Sequence, residues 1–253
     1  MQGQSESLTN TDVIDNAYEY RFIENCLYSL RNPVGENIRY DRTAGTPICL
    51  DTDLSKWLSA HVTDSSCYGN TNLVPEFCRS YIECTGTKVL AVHIAKGSTE
   101  IAEWLPGSDG YGIITEKASA AIRKAEEEYH VNHIFFVWLQ GESDAIFAHT
   151  KSYYKDKLIL LSRQLKIDIG IDKFCIIRVG HFTNDERDLE IMSAQDEVCE
   201  ENADFIMLTR RAAELCGMPE YMHPYIAGHY SARGLELLGA EAGKQLGLFA
   251  CTI

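Results

Sequence analysis

The sequence has no apolar run near the roughly 20 residues that a membrane-spanning helix needs. Its first ten residues are polar and lack the apolar stretch of a signal peptide. Basic residues are few: 23 Lys and Arg stand against 37 Asp and Glu, so the net charge is −14. Such a surface repels phosphate backbones. We therefore predict a cytoplasmic protein with no nucleic-acid or membrane partner, and secretion stays open if residues precede Met1.

The nine cysteines are odd in number, and no two of them are spaced as Cys-x-x-Cys. The disulfide framework of a small secreted protein normally holds an even number. A zinc site made of Cys and His needs short ligand spacings, which the sequence does not contain. We therefore expect reduced thiols that pack as small core residues, and no metal.

The composition is that of a globular protein, with 45% hydrophobic and 24% charged residues. A chain of 253 residues is long enough for one large α/β core. The sequence contains no linker, low-complexity tract or internal repeat. We therefore predict a single domain over residues 1–253, of unknown oligomeric state.

Beyond residue 72, apolar runs alternate with amphipathic stretches. This alternation predicts a parallel sheet covered on both faces by helices, an α/β fold. Residues 8–70 lack clear periodicity and are predicted to form loops with a short helix near residues 51–60. The predicted strands are 88–95, 133–139, 174–179 and 205–208. The predicted helices are 72–84, 100–104, 115–130, 150–167, 190–201 and 229–246.

Residues 133–139 form a short apolar run that ends in Gln140-Gly141-Glu142-Ser143-Asp144. Its length and its β-forming residues favour a strand buried on both faces over a segment of core helix. The polar end then lies at the carboxyl edge of the sheet, where open α/β sheets bind their ligands. An ordinary turn with a helix N-cap at Ser143 or Asp144 is an alternative that is compatible with a functional role.

Four polar clusters follow strand ends or precede the last helix. Strand ends of one parallel sheet converge in space, so these clusters can meet. Such a set supports nucleophilic catalysis, in which a histidine activates a serine. Backbone N–H groups and a side-chain amide then stabilise the developing oxyanion. The clusters are Gly3-Gln4-Ser5, Lys96-Gly97-Ser98-Thr99, Gln140-Gly141-Glu142 and Gly228-His229-Tyr230-Ser231.

This ordered set resembles the SGNH (GDSL-like) hydrolases, in particular their carbohydrate-esterase branch of acetylxylan esterase-like and sialate O-acetylesterase-like proteins. That branch typically carries Gly-Gln-Ser-Asn, Lys-Gly-Gly-Thr, Trp-x-Gln-Gly-Glu and a late Asp-x-x-His. The resemblance extends over nearly the whole chain, and Trp138-Leu139-Gln140-Gly141-Glu142 is its most specific part. The other matching segments are Gly3-Gln4-Ser5-Glu6, Lys96-Gly97-Ser98-Thr99 and His229 before the last helix.

The resemblance implies a flavodoxin-like three-layer α/β/α sandwich. It also implies that the chain hydrolyses O-acetyl esters on a carbohydrate through an acyl-enzyme. Ser5 would be the nucleophile and His229 its general base. The N–H groups of Ser5 and Gly97 and the side chain of Gln140 would form the oxyanion hole. The implied partner is an acetylated carbohydrate, and neither a metal nor an organic cofactor is implied.

The chain departs from the family pattern at three places. Only four residues precede Ser5, where the family has a strand, so either the chain starts late or another segment takes that place. Ile226 stands where the family has the Asp that orients the histidine. A backbone carbonyl or another carboxylate, with Glu142 as the candidate supporting acid, would replace it, and losing an orienting acid costs rate. Glu6 replaces Asn.

Other hypotheses stay open. His223 lies on the same loop as His229 and is a second candidate for the base. A glycosidase would pair Glu142 with Asp144 or Asp185, because such enzymes need two carboxyl groups at a set separation. A non-catalytic carbohydrate-binding protein would account for the missing Asp and the short start. A serine lipase or thioesterase on the same fold is less favoured, because the sequence has no extended apolar lid segment.

Overall fold

The computed structural model describes residues 13–22, 24–31, 73–223 and 228–253. These residues divide into two compact units. The first unit holds the described residues up to Lys96 together with those from Pro219 onward, and the second spans Gly97–Met218. The single domain stays a prediction.

Each element predicted after residue 72 is present, although several start earlier or are shorter than predicted. The short helix Arg211–Leu215 was not predicted, and the helix Glu142–Ile146 begins before the alternative N-caps Ser143 and Asp144. The strands are β1 (Val13–Arg21), β2 (Cys26–Arg31), β3 (Val89–Ala91), β4 (Phe135–Trp138), β5 (Lys173–Ile177) and β6 (Phe205–Thr209). The helices are α1 (Val74–Thr85), α2 (Asp109–Glu126), α3 (Glu142–Ile146), α4 (Lys151–Asp168), α5 (Glu186–Glu201), α6 (Arg211–Leu215) and α7 (Ala232–Ala250), with 3₁₀ turns at Ile101–Trp104 and Pro219–Tyr221.

The sheet of the first unit has the strand order β2-β1-β3. β1 and β2 form an antiparallel hairpin, and β1 pairs in parallel with β3. The prediction that residues 8–70 form loops is therefore wrong over these two strands, and the predicted helix near residues 51–60 lies outside the described residues. The hairpin is also an antiparallel exception to the predicted parallel pairing.

An irregularity in β1 explains why the sequence pattern missed this strand. Its pairing with β2 shifts register between Val13 and Tyr18, and Asn16 has a φ of 63°. Ile14 and Ala17 are consequently both buried, three positions apart. A bulge of this kind removes the period-two alternation by which a half-buried strand is recognised.

The first unit also packs α1 against the terminal helix α7. Ser231 caps α7, as predicted, and its hydroxyl accepts a hydrogen bond from the Gly234 N–H at 3.3 Å. Three glycines of α7 spaced four residues apart (Gly239, Gly243 and Gly247) face α1 at short distance. The two helices approach closely because these positions carry no side chain.

The second unit has an all-parallel sheet of order β4-β5-β6. β5 is buried from Phe174 to Ile177, which the sequence predicted. In β4 only Trp138 is buried, while Phe135, Phe136 and Val137 are half-buried. The expectation of a strand buried on both faces is therefore wrong for β4, whose only strand neighbour among the described residues is β5.

The helices of this unit begin at polar caps. Ser108 caps α2 by accepting from the Tyr111 N–H at 3.1 Å, which starts the helix before the predicted residue 115. Thr150 caps α4 in the same way. No helix in the described part of the chain is long and apolar enough to cross a membrane.

The cysteines partly follow the expectation of small core residues. Cys78 and Cys175 are buried, and burial raises the pKa of the Cys78 thiol to about 12. A thiol with such a pKa is unreactive near neutral pH. Cys26 and Cys251, by contrast, are exposed.

Candidate active site

The polar segment after β4 turns sharply into α3 at Gly141. This residue has a φ of 149°, a conformation that L-residues with a side chain rarely adopt. A Cβ here would lie 2.7 Å from Ile191 Cγ2 and 3.3 Å from the Tyr154 hydroxyl oxygen. Glycine therefore lets the chain leave the strand and begin a helix directly at Glu142.

The side-chain amide of Gln140 is fully engaged in this structure. Its Nε2 donates to the Thr99 carbonyl at 2.8 Å and to Asp144 Oδ2 at 2.6 Å. Its Oε1 lies 3.0 Å from the Tyr154 hydroxyl. An amide nitrogen carries two hydrogens, and both have acceptors here. The oxyanion role of Gln140 stays a prediction, and it requires one of these hydrogen bonds to open.

A buried polar network holds the backbone carbonyl of Gln140. The Tyr154 hydroxyl donates to this carbonyl at 2.6 Å and accepts from the Trp138 indole N–H at 3.2 Å. Gln195 Nε2 donates to the same carbonyl at 2.9 Å, while its Oε1 accepts from the Val179 N–H at 2.9 Å. Burial raises the pKa of Tyr154, so its hydroxyl remains a neutral donor. The network fixes the position where β4 ends.

Next to Gln140 lies a group of titratable side chains that the sequence did not reveal. Asp144 is 0% exposed, and its Oδ2 also accepts from the Ile101 N–H at 2.9 Å. Burial raises the pKa of Asp144, and the hydrogen bond from Gln140 opposes that shift. His149 Nε2 lies 3.9 Å from Asp144 Oδ1 and 2.5 Å from Glu100 Oε2. Asp144 and His149 lie close together in sequence but Glu100 comes from a distant segment, so no local motif marks the three residues.

The structure places some of the predicted site residues and leaves others outside its description. Ser5 and Ile226 lie outside the described residues. Gly97 lies in an exposed turn and Glu142 is the half-buried first residue of α3. Within the second unit, the hydrogen bond from Gln140 to Thr99 joins the 96–99 loop to the end of β4. The roles of all these residues remain predictions.

His229 lies in the first unit, just before α7, and its side chain is exposed. Its carbonyl accepts a hydrogen bond from the His223 N–H at 2.7 Å, next to a bridge between Met222 and Tyr230. Burial, followed by the nearby charge of His229, lowers the pKa of His223. The backbone segments that carry the two candidate bases are thus held side by side.

The carboxylates of the glycosidase hypothesis are engaged elsewhere. Asp185 caps α5 and accepts hydrogen bonds from the Arg187 guanidinium, which hold the pKa of Asp185 well below its usual range. An acid with a lowered pKa cannot donate a proton near neutral pH. Asp144 is fully buried. The burial of Asp144 closes it to a substrate, which counts against it as a glycosidase residue, while Asp185 is excluded only as the proton donor.

Comparison with known proteins gives the chain a family. The model of the family described as "Carbohydrate esterase, sialic acid-specific acetylesterase" matches residues 41–229, so the match begins after Ser5 and ends at His229. No curated protein matches the chain in sequence.

The fold has a counterpart among solved structures. A protein from Arabidopsis thaliana, solved by X-ray crystallography at 1.6 Å, matches with a TM-score of 0.62 over 96% of this chain and 83% of that one, at 13% identity. This similarity supports the predicted α/β sandwich class. Because the family model spans well over half of the sequence, the chain belongs to the carbohydrate esterase family of sialic acid-specific acetylesterases.

Proposed function

We propose that this protein is a serine esterase that removes O-acetyl groups from a carbohydrate through an acyl-enzyme. The observation that carries the proposal is the family match, which runs through the Trp138–Glu142 motif and reaches His229. The family is described as one of acetylesterases, and this chain keeps the residue types that such chemistry needs.

In the proposed reaction the Ser5 hydroxyl attacks the acetyl carbonyl carbon while His229 takes the hydroxyl proton. The N–H groups of Ser5 and Gly97 and the side chain of Gln140 stabilise the oxyanion. Collapse of the tetrahedral intermediate expels the sugar oxygen, which receives the proton from His229. Water then attacks the acetyl-serine with His229 as base, and acetate leaves.

The rigidity of the Gln140 segment supports this proposal. Donors stabilise a transition state best when they are already in place, because they then cost no reorganisation during the reaction. The Gln140 backbone is held by Tyr154 and Gln195. The Gln140 side-chain amide would exchange one present acceptor, such as the Thr99 carbonyl, for the oxyanion of the substrate.

His229 is the proposed base although Ile226 occupies the position of the usual orienting Asp. In the proposal the hydrogen bond from the His223 N–H to the His229 carbonyl holds the backbone at His229, and Glu142 is the candidate supporting acid. A base without its orienting Asp works more slowly, so we expect a modest turnover.

Acetate release from p-nitrophenyl acetate and from acetylated sugars tests the proposal. We expect Ser5→Ala and His229→Ala to lower kcat on the order of 10³-fold or more. Ser7→Ala and His223→Ala are the matched controls in the same two segments, and they should retain most of the activity.

Two outcomes would count against the proposal. Activity that survives in Ser5→Ala would overturn the assignment of the nucleophile. A folded wild-type protein that releases no acetate but binds acetylated sugars would instead support the non-catalytic carbohydrate-binding alternative, which the missing Asp at position 226 favours.

A further inference from the structure

We propose that Glu100, Asp144 and His149 bind one divalent transition-metal ion such as Zn²⁺. One carboxylate oxygen of Glu100, one of Asp144 and one ring nitrogen of His149 lie within 4.8 Å of one another. Carboxylate oxygens and imidazole nitrogens are ordinary zinc ligands. The site lies within the second unit and does not depend on the esterase proposal.

The backbone holds the three side chains together. Glu100 is the N-cap residue of the Ile101–Trp104 turn, and Asp144 lies in α3. The His149 N–H donates to the Asp144 carbonyl at 3.0 Å, and the His149 ring stacks on Tyr153 with centroids 4.4 Å apart. The imidazole therefore lies beside the two carboxylates before any ion binds.

The strongest indication of a ligand is the unsatisfied oxygen of Asp144. Its Oδ1 is buried and has no hydrogen-bond partner among the described residues. A buried carboxylate oxygen without a partner is costly. His149 Nε2 lies 3.9 Å away, which is too far for a hydrogen bond. A cation between Asp144 and His149 would satisfy this oxygen.

The other oxygen of Asp144 orients the carboxylate. Oδ2 accepts from the Ile101 N–H at 2.9 Å and from Gln140 Nε2 at 2.6 Å. Hydrogen bonds of this kind to the second oxygen of a ligating carboxylate are typical of metal sites. They leave Oδ1 on the side of His149, whose Nε2 lies 3.9 Å away.

The distances and charges suit a small divalent ion. Ligand atoms around a tetrahedral zinc ion lie about 3.4 Å apart. The distance from His149 Nε2 to Glu100 Oε2 is 2.5 Å, which is shorter than that value. The distance from His149 Nε2 to Asp144 Oδ1 is 3.9 Å, which is longer. The His149 and Glu100 side chains are 24% and 30% exposed, so they can adjust and admit an ion with a water ligand. Two carboxylates neutralise its charge.

Titration of the full chain with Co²⁺ and Zn²⁺ tests the proposal. We expect one ion per chain, visible as Co²⁺ absorption bands of an N/O site, together with a higher Tm in the presence of Zn²⁺. His149→Ala and Glu100→Gln should each raise the apparent Kd by about 100-fold or more. His133→Ala is the matched control, because it removes a histidine that lies 3.6 Å from the carboxylate of Asp172 in the same unit.

Circular dichroism shows whether each variant is folded, and Asp144→Asn provides a third ligand variant if one of the others is not. Unchanged Co²⁺ and Zn²⁺ affinity in folded His149→Ala and Glu100→Gln would overturn the proposal. Thiolate-to-cobalt charge-transfer bands in place of an N/O spectrum would also overturn it, since the ion would then be bound by cysteines. The absence of Co²⁺ and Zn²⁺ binding to the wild-type protein would overturn the proposal as well.

Discussion

At the scale of single residues, the Trp-x-Gln-Gly-Glu segment combines a sharp turn with a set of hydrogen bonds. Trp138 donates to Tyr154, Tyr154 donates to the Gln140 carbonyl, and Gly141 avoids contact with Ile191. Each residue type has a physical reason at its position. The segment is therefore built as a rigid strand end and not as a flexible loop.

Gly141→Ala should destabilise the protein by about 3 kcal/mol, because it combines an unfavourable φ with overpacking against Ile191. Urea unfolding followed by circular dichroism measures the change. Gly97→Ala is the control, since no heavy atom of the described residues lies within 4 Å of a Cβ there, and its effect should stay within about 0.5 kcal/mol. Equal stability of the two variants would show that Gly141 is not sterically required.

Sequence reasoning located Gln140 at a strand end but did not predict its acceptors. The Thr99 carbonyl and Asp144 become neighbours of Gln140 only when the chain folds. The group of Glu100, Asp144 and His149 escaped prediction for the same reason, since Glu100 is distant in sequence from the other two and the three carry no characteristic spacing.

At the scale of elements, the prediction was accurate where periodicity is regular. β5, β6 and α4 were predicted almost at their observed bounds, because their apolar residues follow regular spacing. β1 was missed because its bulge at Asn16 breaks the alternation. α2 was predicted to start late, because its first turn is defined by the cap at Ser108 more than by apolar residues.

The glycines of α7 offer a direct test of helix packing. An added Cβ at Gly243 would lie 2.1 Å from the Phe77 carbonyl oxygen of α1. Gly243→Ala should therefore destabilise the protein by about 2–4 kcal/mol, although alanine favours an isolated helix by about 1 kcal/mol over glycine.

Thermal and urea unfolding of Gly243→Ala give this value, and Gln245→Ala at an exposed position of the same helix is the control. Steric overlap with α1 lowers the stability of Gly243→Ala, whereas the helix propensity of alanine raises it. The sign of the change in unfolding free energy therefore shows which effect is larger. A more stable Gly243→Ala protein would mean that α1 and α7 do not approach as closely as described.

At the scale of the whole molecule, the net charge of −14 bears on the choice of substrate. An anionic surface repels an anionic sugar at low salt, and salt screens this repulsion. For an acetylated sugar that carries a carboxylate, kcat/KM should rise severalfold between about 10 mM and about 200 mM NaCl.

Neutral p-nitrophenyl acetate, assayed under the same two conditions, is the control and should be hydrolysed at a nearly constant rate. A kcat/KM for the anionic sugar that falls with added salt would instead indicate local basic groups that attract the substrate.

The central claim is that Ser5 forms an acyl-enzyme, and covalent labelling tests it most directly. The wild-type protein is treated with a fluorophosphonate that reacts with activated serines, and the adduct is located by peptide mass spectrometry. We predict one adduct per chain, on Ser5, which is lost in Ser5→Ala and strongly slowed in His229→Ala. Labelling at another serine, or a wild-type protein that stays unlabelled while folded, would contradict the claim.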